Sequence, residues 1–286
     1  MTNPWLDRRV LSIAHQGGSH EAPSSTIFAI ECALANGADG IELDLHPTLD
    51  GGIVCLHDDT LERTTNLAGY VHDFDMEDLA EADAAYYFVL DSGEAIVTGA
   101  PEEAYIYRGR VAEDHRFGIP TLAEILRDPA PKLFNLDIKE DLGPEGNFEA
   151  ELGTMIQSTG STDRTIVASF LQEPLSRFRE QYPNVATSAS PEEALNFYQG
   201  FLSGERPPSV EFEVLQIPAS YGGIEYVDPG LISFAHDCGV AVHLWTINDE
   251  ADMERFVGYG ADGLMTDRPS VLRRVLERTE SMWLGV

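Results

Sequence analysis

The sequence is poor in positive charge. It has 18 lysines and arginines against 49 aspartates and glutamates, and only two of the 18, Lys132 and Lys139, are lysines. The formal net charge at pH 7 is −31, and a surface of this sign repels phosphate backbones and anionic lipid headgroups. Nucleic acid and anionic membranes are therefore disfavoured partners.

Cysteines and long apolar runs are also scarce. The three cysteines, Cys32, Cys55 and Cys238, lie far apart and outside any C-x-x-C spacing, which suggests neither a disulfide framework nor a zinc knuckle. No apolar run approaches the roughly 18 residues that a membrane span needs, and the first residues lack an apolar leader before a cleavage site. We expect a soluble, cytoplasmic protein.

Short β-branched runs alternate with helical patterns along the chain, as in βαβ units with a parallel sheet. Eight of these runs are predicted to be strands, which favours an α/β fold of the TIM (β/α)8 barrel type. The runs are residues 10–15, 40–45, 133–139, 164–170, 185–190, 212–217, 240–245 and 262–267. Capped helices are predicted between them, for example at 24–37, beginning at a serine and ending at a glycine, and at 228–239.

A further strand-like run, residues 52–58, follows the second predicted strand after a glycine-containing turn. This spacing predicts an antiparallel hairpin outside the barrel count. A turn centred on residues 50–51 lays His57 roughly opposite Asp44 or Leu45. The hairpin therefore brings a histidine back to the second strand.

Residues 59–118 are acidic and only weakly periodic. We interpret them as an excursion or small insertion after the second strand. The helical pattern returns just before the third predicted strand. The chain, residues 1–286, is predicted to form a single domain that carries this insertion.

Polar side chains lie where barrel strands end, and catalytic groups of TIM barrels come from these ends. Glu42 and Asp44 are two residues apart on one strand, so their side chains point to the same face. Asp137 and Lys139 repeat this spacing on the third strand, and His15 ends the first. The ammonium of Lys139 adds a fixed positive charge at this end of the barrel.

Carboxylates packed together raise one another's pKa unless a proton or a cation joins them. Glu42, Asp44 and Asp137 offer oxygen ligands only, which suit Mg²⁺ or Ca²⁺ better than zinc. With His15 and His57, one neutral as a base and one charged as an acid, the site has the groups that phosphodiester cleavage needs. Structural pairing of the carboxylates with arginines is the alternative, and the scarcity of cations weakens it.

Characteristic motifs follow one another along nearly the whole chain: AHQGG with EAPSST, IELDLHPTLDGGIVCLHDDTLERTTNLAG, FNLDIK, HLWTIN and GADGLMTDRP. Their content and order resemble the glycerophosphodiester phosphodiesterase family. The resemblance implies a TIM barrel, a divalent metal, and hydrolysis of glycerophosphodiesters to glycerol 3-phosphate and an alcohol. By motif position it implies that His15 and His57 are the acid/base pair, Glu42 and Asp44 metal ligands, and Lys139 the phosphate-contacting lysine.

The sequence departs from the family pattern at three places. Gln16 stands where the family usually has an arginine that grips the phosphate, a bidentate contact that glutamine cannot copy. Residues 23–26 read PSST where P-E-N-T is common, and Asp137 stands where glutamate is common. We expect Gln16 to bind substrate through its amide. The related sphingomyelinase D enzymes share the arrangement, so a sphingomyelinase D-like or lysophospholipase D-like substrate stays an alternative.

Other polar residues have structural interpretations. We expect His46 to have a supporting role, Asp58 and Arg63 to brace the loop that carries His57, and His243 and Asp267 to be structural. None of these is included in the predicted site.

Trp245 ends the seventh predicted strand and is expected to form an apolar wall for the substrate. The expected partner is a small-molecule glycerophosphodiester. A barrel that binds phosphodiesters with weak or no turnover is the alternative, because the usual arginine is missing. Two routes stay open, attack by water and attack by the glycerol 2-hydroxyl with a cyclic phosphate. The sequence also leaves Mg²⁺ and Ca²⁺ undistinguished.

Overall fold

The structure is a computed structural model and describes residues 3–127 and 132–284. Its strands, named in chain order, are β1 (Leu11–His15), β2 (Gly40–Pro47), β3 (Ile53–Cys55), β4 (Leu133–Ile138), β5 (Thr165–Ser169), β6 (Ala186–Thr187), β7 (Val214–Pro218), β8 (Ser220–Tyr221), β9 (Ile224–Glu225), β10 (Ala241–Trp245) and β11 (Gly263–Thr266). Each of the eight predicted barrel strands is present.

Eight parallel strands follow one another in the order β6-β5-β4-β2-β1-β11-β10-β7. The two ends of this sheet meet through a parallel bridge between Ser188 and Val214. The Glu213 amide also donates to the Thr187 carbonyl at 3.1 Å. The sheet therefore closes on itself, and the predicted TIM barrel is confirmed.

Helices cover the outside of the barrel, except for one short helix in the excursion that follows the hairpin. They are α1 (Ile27–Ala35), α2 (Met76–Leu79), α3 (Leu122–Arg127), α4 (Phe148–Ser158), α5 (Gln172–Gln181), α6 (Pro191–Ser203), α7 (Pro229–Asp237), α8 (Glu250–Tyr259) and α9 (Pro269–Arg278). The helix predicted from residue 24 starts later than expected. Thr26 is the N-cap, because its hydroxyl accepts the Ala29 N–H at 3.1 Å, and the two serines before it belong to the preceding turn.

β3 pairs antiparallel with β2, which confirms the predicted hairpin. The register differs from the expected one by a residue, since the Leu56 N–H donates to the Asp44 carbonyl at 3.1 Å. The reason is the turn: Thr48 and Gly52 pair, and residues 49–51 form a three-residue loop that ends at Gly51 with φ +83°. His57 therefore lies one residue further along than predicted.

Residues 59–118 contain α2, several single 3₁₀ turns and little other regular structure. Their apolar side chains, such as Leu61 and Val71, pack with Val54 and Leu56 from the hairpin. Phe117 also stacks on Phe28 of α1, with 4.6 Å between ring centroids. The description of the chain as one domain with an insertion stays a prediction.

The barrel interior changes from apolar to polar along its axis. Trp5 lies buried at the N-terminal end with side chains such as Leu11 and Ile13. One layer higher, Gln216 donates to Asn135 Oδ1 at 2.7 Å. Alternation along the strands therefore brings charged side chains to the C-terminal end, while the intervening residues of β2 face the helices.

None of the described helices combines the length and the apolar character that a membrane span requires.

Candidate active site

Three carboxylates lie side by side at the C-terminal end of the barrel. Asp44 of β2 stands opposite Asp137 of β4 in the parallel register, and Glu42 stands opposite His15 of β1. The carboxylates are buried. Lys139 reaches back to two of them, with its Nζ 2.8 Å from Asp44 Oδ1 and 3.1 Å from Asp137 Oδ2. The structure thus brings the predicted metal ligands and the predicted phosphate lysine together.

His15 is held on the edge of this cluster by its Nδ1, which lies 2.6 Å from Asp267 Oδ1. Its Nε2 faces the site, 3.9 Å from Glu42 Oε2 and 3.3 Å from the Gln16 side-chain nitrogen. The Asp267 contact was not expected from the sequence. Asp267 directly follows β11, so the strand-end rule that selected the other site residues also applies to it.

His57 approaches from the hairpin. Its ring centroid lies 6.3 Å from that of His15, with the two rings nearly perpendicular. Its Nδ1 is 2.6 Å from Asp58 Oδ1, and the Asp58 carboxylate also accepts from Arg63 Nε. Asp58 and Arg63 therefore brace His57, in agreement with the role expected for them.

Burial and mutual repulsion govern the electrostatics of the carboxylates. Burial raises the pKa of Glu42, and the nearby Asp44 charge raises it further. Burial also raises the pKa of Asp137, to about 6, against the opposing effect of Lys139. The single ammonium of Lys139 therefore compensates only part of the negative charge of the three carboxylates. A further positive charge nearby would stabilise their ionised forms.

At the other side of the cluster, the contact between His15 and Asp267 shifts both pKa values toward the charged forms. Burial acts to lower the pKa of His15, but the hydrogen bond to Asp267 and the charge of Glu42 outweigh it and raise this pKa to about 9. Asp267 is buried as well, yet His15 and Ser19 hold its pKa down at about 2. The pair is thus an imidazolium and a carboxylate at neutral pH.

The carboxylates fit a hard divalent cation chemically. Asp44 Oδ2 and Asp137 Oδ1 are buried without a hydrogen-bond partner among the described residues. All the atoms that these three side chains offer to a metal ion are oxygens, which Mg²⁺ and Ca²⁺ prefer. As the side chains stand, no three histidine, cysteine, aspartate or glutamate side chains within residues 3–127 and 132–284 form a group that could hold a metal ion. The ammonium of Lys139 lies on the two aspartates, so a cation there would have to share or replace it.

The turn after β1 explains the position of Gln16. Gln16 has φ +52° and its backbone N–H donates to Glu42 Oε2 at 3.1 Å. Gly17 follows with φ +79°, and a side chain there would meet the Ala29 Cβ at 3.0 Å. The close approach of this turn to α1 places the Gln16 amide beside His15.

An aromatic pair borders the site on the side of β5 and β10. Phe170 directly follows β5 and is 60% exposed, and its ring centroid lies 5.7 Å from that of Trp245 in an edge-to-face arrangement. Lys139 Nζ lies 5.7 Å from the centroid of Phe170. Trp245 is thus part of a wall next to the charged cluster, and Phe170 is a second member, which no motif in the sequence marks.

His243 and His46 lie outside this arrangement. His243 is fully buried in the barrel interior, where burial lowers its pKa to about 3. His46 Nδ1 contacts Glu140 at 3.1 Å, and His72 of the excursion contacts the same carboxylate at 3.2 Å. These positions agree with the structural and supporting roles expected for His243 and His46.

Comparison with known proteins gives a consistent result. The pattern of the glycerophosphoryl diester phosphodiesterase family matches residues 15–271. The chain is 31% identical over 272 residues to a glycerophosphodiester phosphodiesterase of Caldanaerobacter subterraneus subsp. tengcongensis, covering 94% of this chain and 99% of that protein. It is 28% identical over 279 residues to a glycerophosphodiester phosphodiesterase of Bacillus subtilis, covering 93% and 86%.

Solved structures resemble the fold. An Oleispira antarctica phosphodiesterase in complex with the product sn-glycerol-3-phosphate aligns with a TM-score of 0.71 at 22% identity, covering 94% of this chain and 96% of that one. A glycerophosphodiester phosphodiesterase from Agrobacterium tumefaciens aligns with a TM-score of 0.67 at 20% identity, covering 93% and 99%. Both alignments cover more than nine tenths of this chain.

Proposed function

Because the chain belongs to the glycerophosphoryl diester phosphodiesterase family, we propose that it hydrolyses glycerophosphodiesters to glycerol 3-phosphate and an alcohol. The relatives that match over nearly their full length are named for this activity. The substrate is a small molecule. The cytoplasmic location stays a prediction.

One observation carries the proposal. Two histidines, His15 and His57, stand with their rings 6.3 Å apart beside a buried cluster of three carboxylates and one lysine. Each histidine has a carboxylate at 2.6 Å from its Nδ1, which leaves Nε2 for the substrate. Hydrolysis of a phosphodiester needs one group to remove a proton from the attacking water or hydroxyl and another to protonate the leaving oxygen, and two such histidines meet that need.

The other residues bind and orient the substrate. Lys139 neutralises a nonbridging phosphate oxygen, and the Gln16 amide donates a hydrogen bond to another. Trp245 and Phe170 contact the apolar part of the alcohol or of the glycerol, because their rings border the charged cluster.

Glu42, Asp44 and Asp137 would hold a divalent cation, Mg²⁺ or Ca²⁺. When bound, such an ion supplies positive charge that stabilises the developing charge on the phosphate. The two partnerless aspartate oxygens and the raised pKa of Asp137 support this assignment.

The test is release of glycerol 3-phosphate from glycerophosphocholine at steady state. We expect turnover with Mg²⁺ or Ca²⁺, no turnover in EDTA, and recovery when the ion is returned. Full activity of exhaustively metal-free protein would contradict the metal site, and absence of turnover with every glycerophosphodiester and ion tested would contradict the activity. Detection of a cyclic glycerophosphate during turnover would select attack by the 2-hydroxyl over attack by water.

Gln16 supports a second candidate, a barrel that binds phosphodiesters with little turnover, because a neutral amide stands where a guanidinium is usual. Calorimetric binding of glycerophosphocholine without product release would favour it. A sphingomyelinase D-like or lysophospholipase D-like substrate is the other alternative, and the exposed ring of Phe170 favours testing lysophosphatidylcholine in the same assay.

A further inference from the structure

The carboxylate of Asp267 contacts several neighbouring side chains besides His15. Besides His15 Nδ1 at 2.6 Å, its Oδ1 accepts from the Ser19 hydroxyl at 2.7 Å. Its Oδ2 accepts from the Asn248 side-chain amide at 2.6 Å, and His20 Nε2 lies 3.6 Å from the same oxygen. Both oxygens are therefore fixed in position by more than one neighbour.

Asn248 is fixed in turn. Its side-chain oxygen accepts the backbone N–H of Asp267 at 2.9 Å and the hydroxyl of Thr266 at 3.1 Å. The amide therefore cannot rotate without losing three hydrogen bonds at once. A chain of contacts thus runs from the segment after β10, through Asn248 and Asp267, to the imidazole of His15.

The two histidine–carboxylate pairs of the site differ in construction. The carboxylate on His57 belongs to Asp58, its sequence neighbour, and is shared with the guanidinium of Arg63. The carboxylate on His15 comes from 252 positions further along the chain and is held by neutral donors and by histidine. The sequence neighbourhood therefore positions His57, whereas His15 depends on a distant residue.

From this geometry we infer that Asp267, oriented by Asn248 and Ser19, is the positioning residue that fixes the ring plane and tautomer of His15 and directs its Nε2 at the substrate. Asp267 holds the Nδ1 proton whether the ring is charged or neutral, so that Nε2 is the nitrogen that exchanges a proton with the reacting oxygen. The inference rests on the proposed function, because it needs His15 to be a proton-transfer group.

The chain contains a matched control on the same strand. Asp262 directly precedes β11 as Asp267 directly follows it, and Asp262 is also buried against a histidine, with His236 Nε2 at 2.7 Å from its Oδ2. Asp262 additionally accepts the Val242 N–H at 2.8 Å. It lies at the opposite end of the barrel from His15, so Asp262→Asn perturbs a comparable contact without touching the site.

The kinetic experiment compares Asp267→Asn and Asp262→Asn in metal-loaded enzyme with glycerophosphocholine. We expect Asp267→Asn to lower kcat by about 10²- to 10⁴-fold while KM changes by less than about threefold, as for a wrongly held general acid or base. Asp262→Asn should lower the melting temperature and leave kcat of the folded enzyme unchanged. A folded Asp267→Asn variant with kcat within about threefold of the parent would overturn the inference.

Double substitution separates positioning from an independent effect. His15→Ala combined with Asp267→Asn should be no slower than His15→Ala alone, because the carboxylate then has no imidazole to position. Multiplicative losses would overturn the inference. If His15→Ala retains full turnover, the proposed function fails in its acid/base part, and the spectroscopic measurement below still decides the contact between Asp267 and the ring.

Nuclear magnetic resonance of ¹⁵N-histidine-labelled protein reads the contact without substrate. The chain has eight histidines, and His15→Ala assigns the signals of this one. We expect a strongly deshielded Nδ1 proton on His15 that is lost or shifted in Asp267→Asn and retained in Asp262→Asn. An unchanged His15 signal in Asp267→Asn would overturn the inference.

Two milder variants keep the test decisive if Asp267→Asn does not fold. Ser19→Ala and Asn248→Ala each remove a donor from the carboxylate and leave Asp267 itself in place. Each should lower kcat about tenfold, the lower end for outer contacts of this kind, and shift the His15 Nδ1 signal. Normal kcat together with a normal signal in both variants would overturn the inference.

Discussion

Lys139 holds the centre of the carboxylate cluster, and replacing it with methionine tests how that cluster is balanced. Its side chain is 19% exposed, and its partners Asp44 and Asp137 are 3% and 8% exposed. Methionine keeps most of the apolar volume and removes only the charge. Two buried carboxylates are then left without their shared cation.

The cost can be bounded from the structure. Removing one partner of a buried ion pair costs about 3 to 5 kcal/mol. Asp137 limits the loss, because its pKa is already about 6 and it takes up a proton when the ammonium is gone. We therefore expect the free energy of unfolding at pH 7.5 to fall by about 2 to 4 kcal/mol. With an unfolding entropy of about 2.1 cal/mol/K per residue, the melting temperature of this chain falls by about 3 to 7 °C.

The assay is thermal unfolding in EDTA and again with Mg²⁺ or Ca²⁺. At 100 times its Kd an ion adds about 2.7 kcal/mol, and we expect the larger increase in Lys139→Met because no ammonium competes for the aspartates. Lys132→Met is the control, since Lys132 precedes β4 as Lys139 follows it. Lys132 is 60% exposed and 3.9 Å from Asp39, so it should cost less than about 1 kcal/mol.

Two results would refute this reasoning. One is a melting temperature of Lys139→Met in EDTA that equals that of the parent. The other is an equal ion-induced increase in both proteins, which would mean that the cation and the ammonium do not share the aspartates.

Three further predictions concern the histidines and Gln16. His15→Ala and His57→Ala should each lower kcat by about 10²- to 10⁴-fold in folded protein, and near-normal kcat in both would show that neither transfers protons. Gln16→Arg should lower KM for glycerophosphocholine by up to about tenfold, because a guanidinium adds a charged, bidentate phosphate contact; an unchanged or higher KM would mean that phosphate binds elsewhere. The pKa of His15 is raised to about 9, so its stabilisation is complete below about pH 6.5 and is lost as pH rises to about 9. The free energy of unfolding of metal-free protein should fall by about 3 kcal/mol over this interval, and His15→Asn should flatten that slope in urea titrations; an identical slope would contradict it.

Local sequence patterns were sufficient to predict the barrel and the positions of the three carboxylates inside it. The two-residue spacing of Glu42 and Asp44 was enough to place both carboxylates inside the barrel, because alternation in a strand is a local property. The same argument placed Asp137 on the neighbouring strand. The one-residue error at His57 came from turn length, since a three-residue loop and a two-residue turn use the same glycine-rich letters.

Contacts between distant parts of the chain could not be predicted in this way. Asp267 was interpreted as structural because nothing near it in sequence indicates that it meets His15, 252 positions away. Phe170 was read as the apolar end of a strand, and only the curvature of the barrel shows that its ring stands beside Trp245. The contact of the Lys139 ammonium with the carboxylates could not be predicted from strand alternation either. A long, flexible side chain can fold back toward a residue two positions earlier in the chain.

The apolar packing at the N-terminal end of the barrel restricts the route by which molecules reach the site. Trp5 and its apolar neighbours leave a space of about 10 Å³ beneath the site, which is room for about one water molecule. Within the part of the chain that the structure describes, the open route to the site is therefore from the C-terminal end of the barrel. In the proposed reaction the alcohol and glycerol 3-phosphate would both leave through this end, so a product that stays bound there blocks the entry of the next substrate molecule.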